Sequence, residues 1–184
     1  MNNEPHEDLV HVDKLIAGDT SAFRYFIRAY QDMAFTLAVS IVKDESIAQE
    51  VAQDAFMSAF KSIRTFNRRS AFKTWFYRIV VNAAFLALKR MKRDRSVKFE
   101  EYDTEIPDDA GGEEHFQEQM ELVNEAFKFM PPNEALILRL FYLEEESIKE
   151  VSAITGFTEA NVKVILHRAR KRMSNIIQQI KVSK

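Results

Sequence analysis

The chain of 184 residues contains no cysteine, so neither a disulfide framework nor a thiolate metal site can form. Glycine and proline are scarce, at four residues each, and no stretch alternates between apolar and polar residues as a strand would. Turn-rich all-β architectures are thereby excluded. The four histidines, His6, His11, His115 and His167, are scattered without ligand spacing, so no metal is expected. No apolar run approaches the roughly 18 residues of a membrane span. The amino-terminal "MNNEPHEDLV" is polar and acidic, unlike a signal peptide. An untargeted, cytoplasmic protein with no membrane insertion of its own is the expectation. Phosphate-binding glycine loops, nucleophile constellations and paired-carboxylate motifs are also missing, so neither an enzyme nor a cofactor is read here.

Charge is plentiful but segregated. The 26 basic and 28 acidic residues nearly cancel, yet Lys61 to Arg95 holds eleven Lys/Arg and one acid, Asp94. Glu100 to Glu114 holds eight acids and no base, and from Ala160 onward there are seven Lys/Arg and no acid. Two basic blocks argue for an anionic partner despite the near-neutral total.

Apolar residues recur at intervals of three and four almost throughout, the signature of an all-α protein. A short first helix carries Leu9, Val12 and Ile16 on one face, ends near Gly18, and is followed by Asp19 or Thr20 as the next N-cap. The second helix is expected to turn Phe23, Phe26, Ile27, Tyr30, Ala34, Leu37 and Ile41 inward as far as Val42, and "KDES" caps a third helix from Ile47 to about Ile63. In "NRRSAFKTWFYRIVVNAAFLALKRMKR", Phe72, Phe76, Ile79, Ala83 and Leu86 step by four, three, four and three, predicting a buried seam. A second stripe, Arg78, Asn82, Phe85, Lys89 and Lys92, has the same steps but is mostly cationic and cannot be core. Trp75 and Tyr77 flank the seam, and spacing leaves their orientation open.

"EEYDTEIPDDAGGEEH" has too little apolar surface to fold alone and reads as a flexible, self-repelling linker. Two small helical domains follow, at 1–95 and 115–184, with the acidic linker at 96–114. In the second domain Phe116, Met120, Val123, Phe127 and Met130 keep helical step, and Pro132 opens a helix whose inward face is Leu136, Ile137, Leu140 and Phe141. Ser147 and Glu150 form a capping box, Gly156 ends the short helix, and Thr158 caps the next, with Asn161 three positions on. Two helices joined by a Gly-containing turn, the second rich in cations, make a helix-turn-helix whose second helix enters the DNA major groove.

The blocks "AGDTSAFRYFIRAY", "AQEVAQDAFMSAFKSI", "SAFKTWFYRIVVNAA" and "SIKEVSAITGFTEANVKVILHRARKR" occur in the order and at the separations found in bacterial extracytoplasmic-function (ECF) sigma factors of the sigma-70 family. The resemblance runs from about Leu9 to Met173. It implies a non-catalytic initiation factor that binds core RNA polymerase and directs it to promoter DNA. The first domain would read and melt the −10 element, and the helix-turn-helix would read the −35 element. An anti-sigma factor is the further partner that the resemblance implies.

Residue roles follow by the same resemblance. Glu50, Gln53, Asp54 and Lys61 form a polar stripe on the third helix that would dock on polymerase. Asn67, Arg68, Arg69 and Ser70 would form the loop beside an extruded base, with Asn82 at that pocket. Arg78, Lys89, Lys92 and Arg93 can neutralise phosphates, Lys73 is counted among the −10 contacts, and Phe85, Trp75 and Tyr77 would serve the strand. In the last long helix and its cap, Thr158, Asn161, Lys163, Val164, His167, Arg168 and Lys171 would face the −35 duplex. Val164 and Ile165 stand where family members commonly carry a small polar and a basic residue, so contacts there are expected to be fewer or apolar. Two rival functions fit less of the chain. A stand-alone regulator leaves the aromatic-basic helix unexplained, and a nuclease would need Glu50, Asp54 and the histidines to assemble a metal site.

Overall fold

The computed structural model describes residues 5–94 and 114–182, and among these every regular element is helical. They cluster into two compact units, the first mostly before Met91 and the second mostly beyond Lys92. Apart from Glu114, which opens α5, the expected linker at 96–114 lies outside the described residues. Among the described residues no helix is long and apolar enough to cross a membrane.

The first unit contains α1 (Pro5–Ile16), α2 (Phe23–Val42), α3 (Glu45–Ser62) and α4 (Phe72–Asp94). Its boundaries are set by local chemistry. Gly18 takes a φ of 101°, and Asp19 accepts the Ser21 N–H at 3.0 Å, capping a 3-10 turn that leads into α2. The cap is thus Asp19, not Thr20. Lys43 ends α2 in the left-handed region, and Asp44 caps α3 by accepting the Ile47 N–H at 3.0 Å.

The inward face of α2 is Phe23, Phe26, Tyr30, Ala34, Leu37 and Ile41, all buried. Ile27 is a correction: it is 40% exposed, because the stripe through Phe26 and Tyr30 leaves position 27 on its outer flank. The facing surface of α3 is built from Ala48, Ala52, Ala55 and Ala59 with Val51, small side chains that admit close packing of the two helices. Phe26 meets Phe72 at 4.2 Å between ring centroids and Phe56 meets Phe76 at 4.7 Å, so the rings of three helices share one core.

In α1 the inward face is Asp8, Val12 and Leu15, while Leu9 and Ile16 are half-buried. Burial of Asp8 is sustained by two hydroxyls of α2: Tyr30 donates to one carboxylate oxygen at 2.6 Å and Tyr25 to the other at 3.0 Å. Desolvation is the larger influence and raises the Asp8 pKa above the ordinary carboxylate value against these two hydrogen bonds.

The second unit contains α5 (Glu114–Phe129), α6 (Pro132–Tyr142), the start of α7 (Ile148–Thr155) and α8 (Glu159–Val182). Phe127, Met130, Ala135, Leu138 and Ala169 make a core cluster, with Val123, Met173 and Ile176 packed against it. The side chains of Phe116 and Met120 lie outside the described residues. Leu136, Ile137 and Leu140 are buried as their spacing predicts, whereas Phe141 is half-buried.

Candidate nucleic-acid interface

Phe66, buried after a 3-10 turn (Ile63–Thr65), anchors the loop that precedes α4. Asn67 Oδ1 accepts the Arg69 N–H at 3.1 Å, an Asx turn, and Arg68 between them takes a φ of 59°. A side chain other than glycine rarely adopts that region, at a cost on the order of 1–3 kcal/mol. The Arg68 guanidinium is paired with Asp13 of α1. Asn67, Arg68, Arg69 and Ser70 are all exposed.

α4 then carries its rings in two ways. Phe72 and Phe76 are buried, but the seam continues through Val80, Ala84 and Leu88 rather than through Ile79, Ala83 and Leu86. Ile79 and Ala83 are half-buried and Leu86 is 52% exposed. Apolar residues occupy both registers, so periodicity alone could not choose between them. Tyr77 is a second correction: at 2% exposure its ring is not free to stack on a strand. It lies one helical turn from buried Thr74 and Val81, with the Lys73 Nζ 5.3 Å from its ring centroid. Trp75 is half-buried and leans on Phe66 at 5.4 Å and Phe72 at 5.5 Å.

Arg78, Asn82, Lys89 and Lys92 are exposed on α4, and Phe85 is half-buried among them. Leu86 joins this face, four positions after Asn82 and three before Lys89. The helix therefore offers cations, one amide and two apolar side chains on one side. Such a surface can neutralise phosphates and hold a base by its edge and its flat face.

On α3, Glu50, Gln53, Asp54 and Lys61 are exposed, opposite buried Val51 and Ala55. Sequence reasoning missed Met57, which is 55% exposed in the middle of this polar stripe. The signal was present, since 50, 54, 57 and 61 step by four, three and four. A polar rim around a flexible apolar side chain has the anatomy of a protein interface. Among the described residues, no group of three or more His, Asp or Glu could hold a metal ion.

The helix-turn-helix is built by its caps. Ser147 N–H and Oγ donate to Glu150 Oε2 at 2.8 and 2.7 Å, and the Glu150 N–H donates back to Ser147 Oγ at 3.2 Å. Gly156 ends α7 with a φ of 76°, and Thr158 Oγ1 accepts the Asn161 N–H at 3.2 Å to start α8. Val162, Leu166 and Ala169 face the core of α8. Asn161, Lys163, Val164, His167, Arg168 and Lys171 are exposed, with Val164 at 48%. Asn161, Val164, Arg168 and Lys171 step by three, four and three, so they share one face. Arg172 is committed elsewhere, donating to Glu134 of α6 at 2.8 Å.

This architecture matches known proteins at both ends. The family model for sigma-70 region 2 matches residues 26–100, and that for sigma-70 region 4 matches residues 121–173. The RNA polymerase sigma factor SigV of Bacillus subtilis is 30% identical over 139 residues, covering 76% of this chain and 81% of its own. The RNA polymerase sigma-H factor of Pseudomonas aeruginosa is 28% identical over 184 residues, covering 95% of each chain. The ECF RNA polymerase sigma-E factor of Escherichia coli is 26% identical over 97% of this chain and 98% of its own. In fold, the chain resembles CnrH in its complex with the cytosolic domain of CnrY (TM-score 0.65, 17% identity, 93% of this chain and 97% of that one). It resembles equally the sigma factor RpoE of Bartonella quintana, solved with the anti-sigma factor NepR (TM-score 0.65, 19% identity, 85% and 96%). With helix-turn-helix, cationic α4 and both regions in order, the chain belongs to the sigma-70 family as an ECF RNA polymerase sigma factor, a promoter-directing protein of transcription initiation.

Proposed function

We propose that this sigma factor divides its work among three surfaces. The outer face of α3, with Glu50, Gln53, Asp54 and Lys61 around Met57, docks on core polymerase. The loop 67–70 and the exposed side of α4 capture the unpaired strand of the −10 element. The exposed face of α8 reads the −35 duplex through its major groove. The domains are 1–95 and 115–184, joined by the acidic 96–114. The single observation that carries this reading is the stripe of exposed Arg78, Asn82 and Lys89 around half-buried Phe85, on the helix that follows a loop with two further arginines.

Melting needs a protein that gains more from unpaired bases than from the duplex. Asn82 supplies both donors and an acceptor for a base edge, and Phe85, Leu86 and the open side of Trp75 supply apolar contact. Phosphodiester synthesis belongs to the polymerase, so the chain itself is non-catalytic and works in the cytoplasm without a cofactor. An anti-sigma factor is its proposed inhibitor, as the structures of CnrH with CnrY and RpoE with NepR suggest by analogy. The test is reconstitution of the full chain with core polymerase on genomic DNA, followed by sequencing of transcript starts. Starts that share upstream elements at constant spacing are expected; starts indistinguishable from core polymerase alone would end the proposal.

A further inference from the structure

Val164 stands in the second turn of α8 and is 48% exposed. The buried line of that part of the helix is Val162, Leu166 and Ala169, so position 164 lies off the core. Its neighbours one turn either way are exposed too: Ala160 and Asn161 before it, His167 and Arg168 after it. The surface around it otherwise suits a polyanion, with Lys163, Arg168 and Lys171 exposed and no acid from Ala160 to the end of the chain. A lone apolar residue is ordinary on a solvated surface. This one stands in the middle of the face proposed to enter the groove.

Every base pair lines the major groove with hydrogen-bonding edges, and only thymine adds an apolar group, its C5 methyl. Valine can neither donate nor accept. Against guanine, cytosine or adenine it would take water from a polar edge and leave that edge unsatisfied. Against thymine its methyl groups meet another methyl. β-Branching restricts χ1 in a helix, so the isopropyl group is presented in one orientation. Ala160, four positions earlier on the same side, adds a further methyl. Asn161 and Arg168 bracket the position with side chains that suit adenine and guanine. Val164 and Arg168 are about 6 Å apart along the helix axis, and successive bases of one strand are about 3.4 Å apart, so the methyl belongs within about two base steps of the guanine.

We propose that Val164 is a specificity-determining residue, which selects a thymine of the −35 element by its C5 methyl, close to the guanine read by Arg168. The inference rests on the reading that the exposed face of α8 enters the −35 major groove. It adds the base that the apolar member of that face requires.

The experiment uses holoenzyme and promoters mapped by transcript-start sequencing. An A·T pair is expected at a fixed place near the −35 guanine, and G·C pairs alone there would overturn the inference. Deoxyuridine then replaces each −35 thymine in turn, on either strand, which deletes the methyl and keeps every hydrogen-bonding group of the base. At one thymine near the guanine, affinity should fall about fourfold for the loss of one buried methyl. In Val164→Ala holoenzyme the same exchange should leave affinity nearly unchanged. The variant keeps its helix, since the side chain is off the core and alanine is the better helix former. A methyl effect of equal size in wild type and variant would assign the contact to another side chain and overturn the inference. No methyl effect at any thymine, with Arg168→Ala still relaxing −35 preference, would overturn it and leave −35 reading by α8 standing. Indifference of the holoenzyme to a scrambled −35 element would overturn both.

Discussion

The guanidinium of Arg68 and the carboxylate of Asp13, 55 residues apart in sequence, are paired at the surface. The contact ties α1 to the loop proposed to receive an extruded base, and it occupies a cation that a phosphate would need. A strand must therefore displace Asp13 to reach Arg68. Exposed pairs of this kind contribute about 0–1 kcal/mol. Asp13→Asn is thus expected to leave the melting temperature nearly unchanged and to tighten binding of a single-stranded −10 oligonucleotide by up to about fivefold, equivalent to about 1 kcal/mol. Weaker binding in a fluorescence anisotropy titration would mean that Asp13 orients Arg68 instead of competing for it.

On α3 the expected outcome is a clean separation of folding from assembly. Glu50 and Asp54 are exposed on the side away from Val51 and Ala55, so changing both to lysine should preserve the circular dichroism spectrum. Holoenzyme formation should be lost. Met57→Ala should weaken it by about 1–2 kcal/mol if that side chain is an interface anchor. Native gel shifts with core polymerase measure both, and undiminished assembly by the folded lysine variant would refute the docking surface.

Two cations of α8 should behave differently. Arg168 shares a face with Asn161 and Val164, and if its guanidinium reads a guanine edge, Arg168→Ala should cost about 1–3 kcal/mol and relax sequence preference. Lys171, a turn further on, should meet phosphate. Lys171→Ala should weaken all duplexes alike and lower the salt slope by about one unit. Matching behaviour of the two variants in a −35 competition assay would show that the reading residue is another.

Asp8 gives a pH-dependent outcome. Its folded pKa is raised, so the folded state binds its proton more readily than the unfolded chain. Ionised Asp8 therefore costs stability, and that cost is relieved as pH falls through the raised value toward the ordinary carboxylate value. Asp8→Asn lacks this titration. Urea unfolding at pH 7 and at pH 5 should show the stability difference between wild type and variant moving in favour of the wild type on acidification. A difference independent of pH would contradict the assignment.

These cases also mark where sequence was informative. The Ser147–Glu150 box and the Gly156 turn were legible because each is complete within four residues, whereas "KDES" announced a cap without singling out Asp44, and the helix starts at Glu45, two residues before the expected Ile47. The exposed stripe of α4 was legible because cations cannot be core. The register of the buried side was not: residues 79, 83 and 86 and residues 80, 84 and 88 are both apolar, and only packing against the other helices selects the second set. Tyr77 belongs to the same ambiguity. Asp8 reads as a solvated acid until Tyr30, 22 residues away, is brought against it. The stacking of the His11 ring on Tyr25, 3.9 Å between centroids, is invisible for the same reason, being made only when α1 folds onto α2.

Asn82 permits the sharpest test of strand capture. It is exposed, it sits between the cations of Arg78 and Lys89, and it is off the buried line of Phe76, Val80 and Ala84. An amide can both donate to and accept from a base edge, where a lysine could supply only charge. Asn82→Ala removes that capacity without opening a cavity, so thermal stability and holoenzyme formation should be retained. On a duplex promoter the polymerase must meet the cost of unpairing, a few kcal/mol, and capture of an extruded base offsets it. On a template with a pre-opened bubble that cost has already been met. The variant should therefore be strongly defective on the duplex and nearly normal on the bubble, in multi-round transcription assays run side by side. Equal defects on both templates would place Asn82 in a step after melting, and a defect accompanied by loss of thermal stability would make it a structural residue of α4.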